Sequence, residues 1–141
     1  MEAPKFRAWI SEADTMTNNL KGIDFENETV VLKKFYWEDG FPVEEEVFEV
    51  EIGNAIIMQS TGLKDELGEE LFEGDVILWS YWDEFEDSGS AKIVFDKGMF
   101  KLLDIRTEKS VWDNLFDCIE NCNVFLQGNI YENREILEAI K

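Results

Sequence analysis

The side chains best equipped for chemistry in this chain are carboxylates. Its 141 residues hold 32 Asp and Glu against 13 Lys and Arg, for a net charge of −19, and no histidine. The absent imidazole removes Ser-His-Asp and Cys-His nucleophilic machinery and His-ligated zinc in one step. Paired carboxylates can still do acid–base work, but among so many some lie close by chance, and a pair matters only inside a shaped pocket. No catalytic residue is assigned. The segment 83-DEFEDSG-89 looks like a calcium loop, with Asp83 and Asp87 at the first and fifth positions. Phe85 stands at the third, Ser88 replaces the turn glycine and Val94 the closing Glu, so the pattern fails. No metal or cofactor is expected beyond nonspecific divalent ions at an acidic surface. Cys118 and Cys122, four apart, match no usual metal spacing and read as buried small hydrophobes in a reducing compartment.

The acids are concentrated. From Glu38 to Asp87 there are 17 carboxylates and one cation, Lys64, so this third of the chain carries −16 of the −19. Such a surface repels nucleic acid and anionic membrane and attracts basic partners. Within it, 57-IMQSTGLKDELGEELFEGDVILW-79 spaces Gly62, Gly68 and Gly74 six apart. They are no phosphate cradle, since no Gly-Lys-Ser/Thr follows and neighbouring acids would repel an anion. Turns explain them: Asp65 and Gly68 bracket one, and Gly74 with Asp75 launches the apolar strand VILWSYW. At least two of the three are expected at positive φ.

The elements that must position these residues are mostly strands. Lys5–Ile10, Leu20–Phe25 with Ile23 and Phe25 on one face, and Thr29–Trp37 come first. The triplet 38-EDG-40 reads as a hairpin loop, as does 95-FDKGMF-100 around Gly98. In 46-EVFEVEI-52, Phe48, Val50 and Ile52 alternate with Glu49 and Glu51, which predicts one buried and one wet face. Val124, Leu126 and Ile130 share a face near the end. Two short helices are expected, around Val111–Glu120 and from Arg134 with Asn133 as its N-cap. Many short strands between turn signals argue for one domain, residues 1–141, built as an antiparallel barrel or sandwich. No apolar run approaches the ~20 residues that span a bilayer, and no secretory leader is visible. A soluble, cytoplasmic protein is the expectation.

Four motifs in order, KFRAW with Met16 nearby, MQ-x-TGLKD, EGDV and GNIYEN, together resemble the YopX-like proteins of bacteriophages and prophages, from Lys5 to Leu137. The resemblance implies a mainly β fold with an SH3-like antiparallel barrel or roll, extra strands and one or two short helices. It further implies a phage-derived protein at work in a bacterial host cytoplasm, and supplies no catalytic residues. Ser60 stands where the family often has an aromatic, and Arg134 where it often has Pro.

The leading functional expectation is a noncatalytic interaction protein that offers its acidic middle to a basic host or phage protein. Glu49, Glu51, Asp83, Glu84, Glu86 and Asp87 are the candidate surface, with Trp82 at its edge as apolar anchor. Trp79, Tyr81 and Trp82 before these acids resemble the lining by which SH3-like domains hold basic peptides. Alternation alone favours core for Trp79 and Tyr81 and a loop start for Trp82. A nucleic-acid mimic that occupies the DNA site of a host protein is the second reading, and a carboxylate enzyme the third. Direct binding of nucleic acid or membrane is not expected, and a homo-oligomer is compatible with the sequence.

Overall fold

The computed structural model describes residues 5–81, 88–135 and 138. The chain divides into two compact units, Met1–Met58 and Gln59–Lys141. Both are built from antiparallel strands, and one short α-helix stands complete among the described residues. The mainly β, antiparallel class read from the sequence holds.

The first unit opens with β1 (Phe6–Ile10), which pairs with β2 (Thr15–Thr17) through Trp9↔Met16. A meander follows: β3 (Leu20–Asp24), β4 (Thr29–Glu38) and β5 (Phe41–Glu51). Alternation along β4 sends Val30 and Leu32 inward, where they pack with Ala8 and Ile10 and against Leu20, Val50, Ala55 and Ile57. Burying each such side chain contributes about 2 kcal/mol. A 3-10 turn, Ile52–Asn54, leads into β6 (Ala55–Lys64), which runs from the first unit into the second.

In the second unit the latter half of β6 pairs with β7 (Glu70–Phe72). β8 (Asp75–Tyr81), β9 (Ser88–Asp96), β10 (Met99–Asp104), β11 (Ser110–Val111) and β12 (Cys122–Asn129) form a five-stranded sheet in the order β11-β10-β9-β8-β12. Its core joins Ile77 and Trp79 of β8, Ile93, Leu102 and Val124, and is closed by Leu115 and Cys118 of α1 (Leu115–Asn121). Trp79 is buried and Tyr81 half-buried against this core, in edge-on contact with each other, as alternation favoured.

Three sequence expectations are corrected. Phe25 does not share a buried face with Ile23: β3 ends at Asp24, and Phe25 enters the turn 81% exposed. Phe48 and Ile52 are not buried, at 38% and 37% exposure, and only Val50 packs on the core. Phe48 lies on the edge strand β5 beyond the reach of this core, and Ile52 falls in the 3-10 turn after the strand has ended at Glu51. The helix begins at Leu115, not Val111. Val111 pairs with Leu102 in the sheet, Trp112 takes a left-handed φ of 64°, and Asn114 caps the helix by accepting from the Asp117 N–H at 2.9 Å. In the terminal segment, Arg134 and Glu135 are helical, while the Asn133 Oδ1 accepts from the Asn129 N–H at 3.1 Å.

Candidate interaction surface

The glycine-rich stretch is architecture. Gly62, Gly68 and Gly74 all take positive φ, at 76°, 84° and 90°. Gly62 sits in the register shift between Ser60 and Lys64, so it forms a bulge within β6 and not a loop. The buried Asp65 carboxylate accepts from the N–H groups of Leu67 at 2.9 Å and Glu69 at 2.8 Å, which closes the turn. Its other oxygen accepts from Leu126 N–H of β12 at 2.9 Å. Asp75 accepts from Phe72 N–H across the Glu73–Gly74 turn at 2.8 Å. Asn129 accepts from the N–H groups of Tyr131 and Glu132. Among the described residues the buried polar side chains are Arg7, Asp65, Asp75 and Asn129, one from each of the four motifs. For the last three, the partners are backbone groups that burial would otherwise leave unsatisfied. These three motifs therefore mark where the chain turns, while Arg7 lies within β1.

The two cysteines are equally structural. Both are buried and free, with their Sγ atoms 3.5 Å apart, and the Cys122 thiol donates to the Cys118 carbonyl. Burial, reinforced by the contact with Cys122, pushes the Cys118 thiol far above its ordinary value, and burial also raises Cys122. Among the described residues, no group of three or more Cys, Asp or Glu side chains is placed to hold a metal ion.

Exposed chemistry gathers on the β4–β5 hairpin. β4 has ten residues and β3 five, and their pairing ends at Leu20↔Leu32. Beyond Lys33 the ribbon of β4 and β5 continues, among the described residues without a third strand, to a two-residue turn, Asp39 and Gly40, at φ 52° and 82°. Both values suit the I′ turn that matches strand twist. A register shift between Tyr36 and Trp37 precedes the tip, where Trp37 and Phe41 are 65% and 71% exposed. The two strands differ in charge: β5 carries Glu44, Glu45, Glu46, Glu49 and Glu51, all exposed, and β4 carries Lys33 and Lys34. Lys33 reaches Glu45 at 3.8 Å, and Lys34 Nζ stands 5.3 Å from the Tyr36 ring centroid. The Tyr36 hydroxyl donates to Glu46 at 2.8 Å, a bond that holds this phenol above its usual range.

Of the residues expected to form the partner surface, Glu49 and Glu51 are exposed on β5, opposite Val31 and Thr29. Trp82, Asp83, Glu84, Glu86 and Asp87 lie outside the described residues. Sequence reasoning missed Trp37, Phe41 and Glu44–Glu46. Their signal was the length of Thr29–Trp37 against the short strand before it: a partner that runs out leaves apolar residues uncovered.

At the base of the arm, beside the open edge of β4, lies a groove of about 520 Å³. Ile10, Met16, Leu32, Phe35, Trp37 and Phe48 make it apolar, and among the described residues Lys33 and Lys34 are the charged ones that line it.

An antiparallel, mainly β protein whose signature residues are turn-forming Asp, Asn and Gly is thus the class the fold and these motifs define. The chain belongs to the YopX family, whose model, the YopX protein, matches residues 5–138. Among solved structures it is similar to protein EF1440 from Enterococcus faecalis, with 26% identity, a TM-score of 0.63, and coverage of 97% of this chain and 99% of that one. It is also similar to protein yopX from Bacillus subtilis, at 22% identity and a TM-score of 0.62 over the full length of both, a likeness of fold. No curated protein matches it. Among the described residues no helix is long and apolar enough to cross a membrane.

Proposed function

We propose that this YopX-family chain is a noncatalytic, phage- or prophage-derived interaction protein of the bacterial cytoplasm, whose SH3-like β-body presents an acidic surface to a basic host or phage protein. The observation that carries the reading is the acidic edge strand: Glu44, Glu45, Glu46, Glu49 and Glu51 are all exposed on β5, with Lys33 and Lys34 the cations on the neighbouring strand. An exposed strand edge with one sign of charge selects partners by sign and speeds their encounter, while an aromatic anchor supplies most of the binding energy. Trp82, followed by Asp83, Glu84, Glu86 and Asp87 in sequence, is the anchor assigned to this surface.

Affinity capture from a bacterial lysate at two salt concentrations identifies the partner, and variants then test the surface. Trp82→Ala should weaken the complex by about 2 kcal/mol or more, and Glu→Gln changes at 49 and 51 should chiefly slow association. A nucleic-acid mimic would reverse that order, with affinity falling steeply in salt and competition by DNA. If neither set of variants alters binding, the acidic surface is only solvated and the reading fails.

A further inference from the structure

Along β5 the backbone is as open as the side chains. The Lys33 N–H donates to the Asn19 carbonyl at 2.9 Å, so Lys33 turns its backbone groups toward the β3 side and away from β5. In an antiparallel pair, two residues directly opposite turn their groups either both toward each other or both outward, and Lys33 stands opposite Val47. Val47 therefore faces outward. The Ile52 N–H donates back to the Glu28 carbonyl at 2.8 Å, which fixes the same phase, since Glu51 before it must then face outward. Glu45, Val47, Glu49 and Glu51 thus turn their N–H and C=O groups to the outer edge of the sheet β3-β4-β5. Among the described residues, no hydrogen bond reaches them there.

The side chains say which strand fits. Residues 45–51 are long enough to pair with a strand of typical length, about five to six residues. Because the outward residues alternate, their side chains share one face. Glu45 is taken there by Lys33 at 3.8 Å, and Glu46, on the other face, by the Tyr36 hydroxyl. The Glu49 and Glu51 carboxylates have no ion pair or hydrogen bond among the described residues. An incoming antiparallel strand places side chains directly opposite them, where opposite charges stabilise and like charges destabilise. Those two positions call for Lys or Arg, and the position opposite Val47 for an apolar residue. The residues between fall on the other face, beside Phe48 at 38% exposure and the half-buried Val50, which favours β-branched side chains. A second copy of β5 is disfavoured as occupant, because it brings glutamates against glutamates.

We propose that β5 accepts an extended segment of the basic partner as a fourth, antiparallel strand of its sheet, with the pattern Lys/Arg-x-Lys/Arg-x-Val set opposite Glu51, Glu49 and Val47, and β-branched residues at x. The inference rests on the acidic-edge reading above and adds its mode: backbone bonds hold the segment, and the alternate charges set its register.

The probe is the acetylated and amidated peptide Lys-Val-Lys-Val-Val-Thr-Thr, titrated into the full chain and followed by NMR. At saturation it should slow amide exchange at Val47 and Glu49 at least about tenfold, and leave Phe48 and Val50, whose N–H groups face β4, nearly unchanged. Methylating the backbone nitrogens of the peptide's third and fifth residues, which face β5, should weaken binding at least about tenfold; methylating the second and fourth, which face away, should not. Glu49→Lys with Glu51→Lys should lose this peptide and bind Glu-Val-Glu-Val-Val-Thr-Thr in its place, with unchanged circular dichroism as proof of folding. Equal binding by both methylated peptides, or unchanged exchange at Val47 and Glu49, would overturn strand addition and leave the acidic-surface reading standing. Protection that ignores the charge reversal would overturn the proposed register and that reading together. Failure of the parent peptide to bind at millimolar concentration would overturn this proposal alone.

Discussion

At the scale of single residues, Asp65 shows how much of this acidic chain is structural. Its carboxylate gathers three backbone N–H groups, from Leu67, Glu69 and Leu126, while the side chain stays buried. Asp65→Ala would leave those donors unsatisfied, and urea denaturation should show a loss of about 3 kcal/mol or more. Gly68, in the same turn at φ 84°, has nothing within 4 Å of where a Cβ would stand. The cost of Gly68→Val is therefore backbone strain alone, about 1–3 kcal/mol, and Gly68→Asn should cost less because Asn tolerates the left-handed region. Asp24 offers a pH readout. The Asn27 N–H, then the Asn27 side-chain amide, hold its carboxyl below the usual 3.8. Its contribution is present above pH 3.8 and fades as pH falls through the lowered folded value. A carboxyl NMR titration should place its midpoint below 3.8, and Asn27→Ala, which removes the side-chain amide but keeps the backbone N–H, should raise that midpoint only in part; a midpoint at or above 3.8 in the parent protein would refute the assignment.

At the scale of elements, the junction of α1 and β12 explains why two cysteines can be carried without reactivity. Cys118 closes the core from the helix and Cys122 begins the strand, both without exposure. A thiol must be exposed and ionised to react, and burial opposes both. Neither should react with an aromatic disulfide reagent at pH 8 in the native protein, and both should react once the protein is denatured; rapid native labelling would contradict the packing. The arm is the opposite kind of element, since it exposes apolar side chains beyond the end of its third strand. Pro42, the glutamates and the register shift near Trp37 are devices that keep such an edge from indiscriminate pairing.

At the scale of the whole molecule, charge dominates. The chain carries a net −19, with −16 between residues 38 and 87, and consecutive exposed acids such as Glu44, Glu45 and Glu46 on β5 stand within the roughly 10 Å over which 0.1 M salt screens charge. Folding compresses this repulsion, so the thermal midpoint should rise from very low to moderate salt. A flat or falling midpoint would mean that the acids are already neutralised by the bases elsewhere in the chain.

The turns, the β alternation and the excluded chemistries were legible in the sequence because they are local: Gly68 and Asp65 report a backbone angle and its hydrogen bonds, and a missing histidine is missing everywhere. Glu49 and Glu51 were placed correctly in water for the same reason, since alternation assigns them to the face opposite Val50. The burial of Phe48 and Ile52, the start of α1 and the open arm were decided only by tertiary structure. Alternation says which residues share a face, but not whether anything covers that face. At Phe48 the answer depends on how far the core of Ala8, Ile10, Val30 and Leu32 extends, which takes in Val50 and stops short of Phe48, and no local pattern encodes how far elements distant in the chain reach.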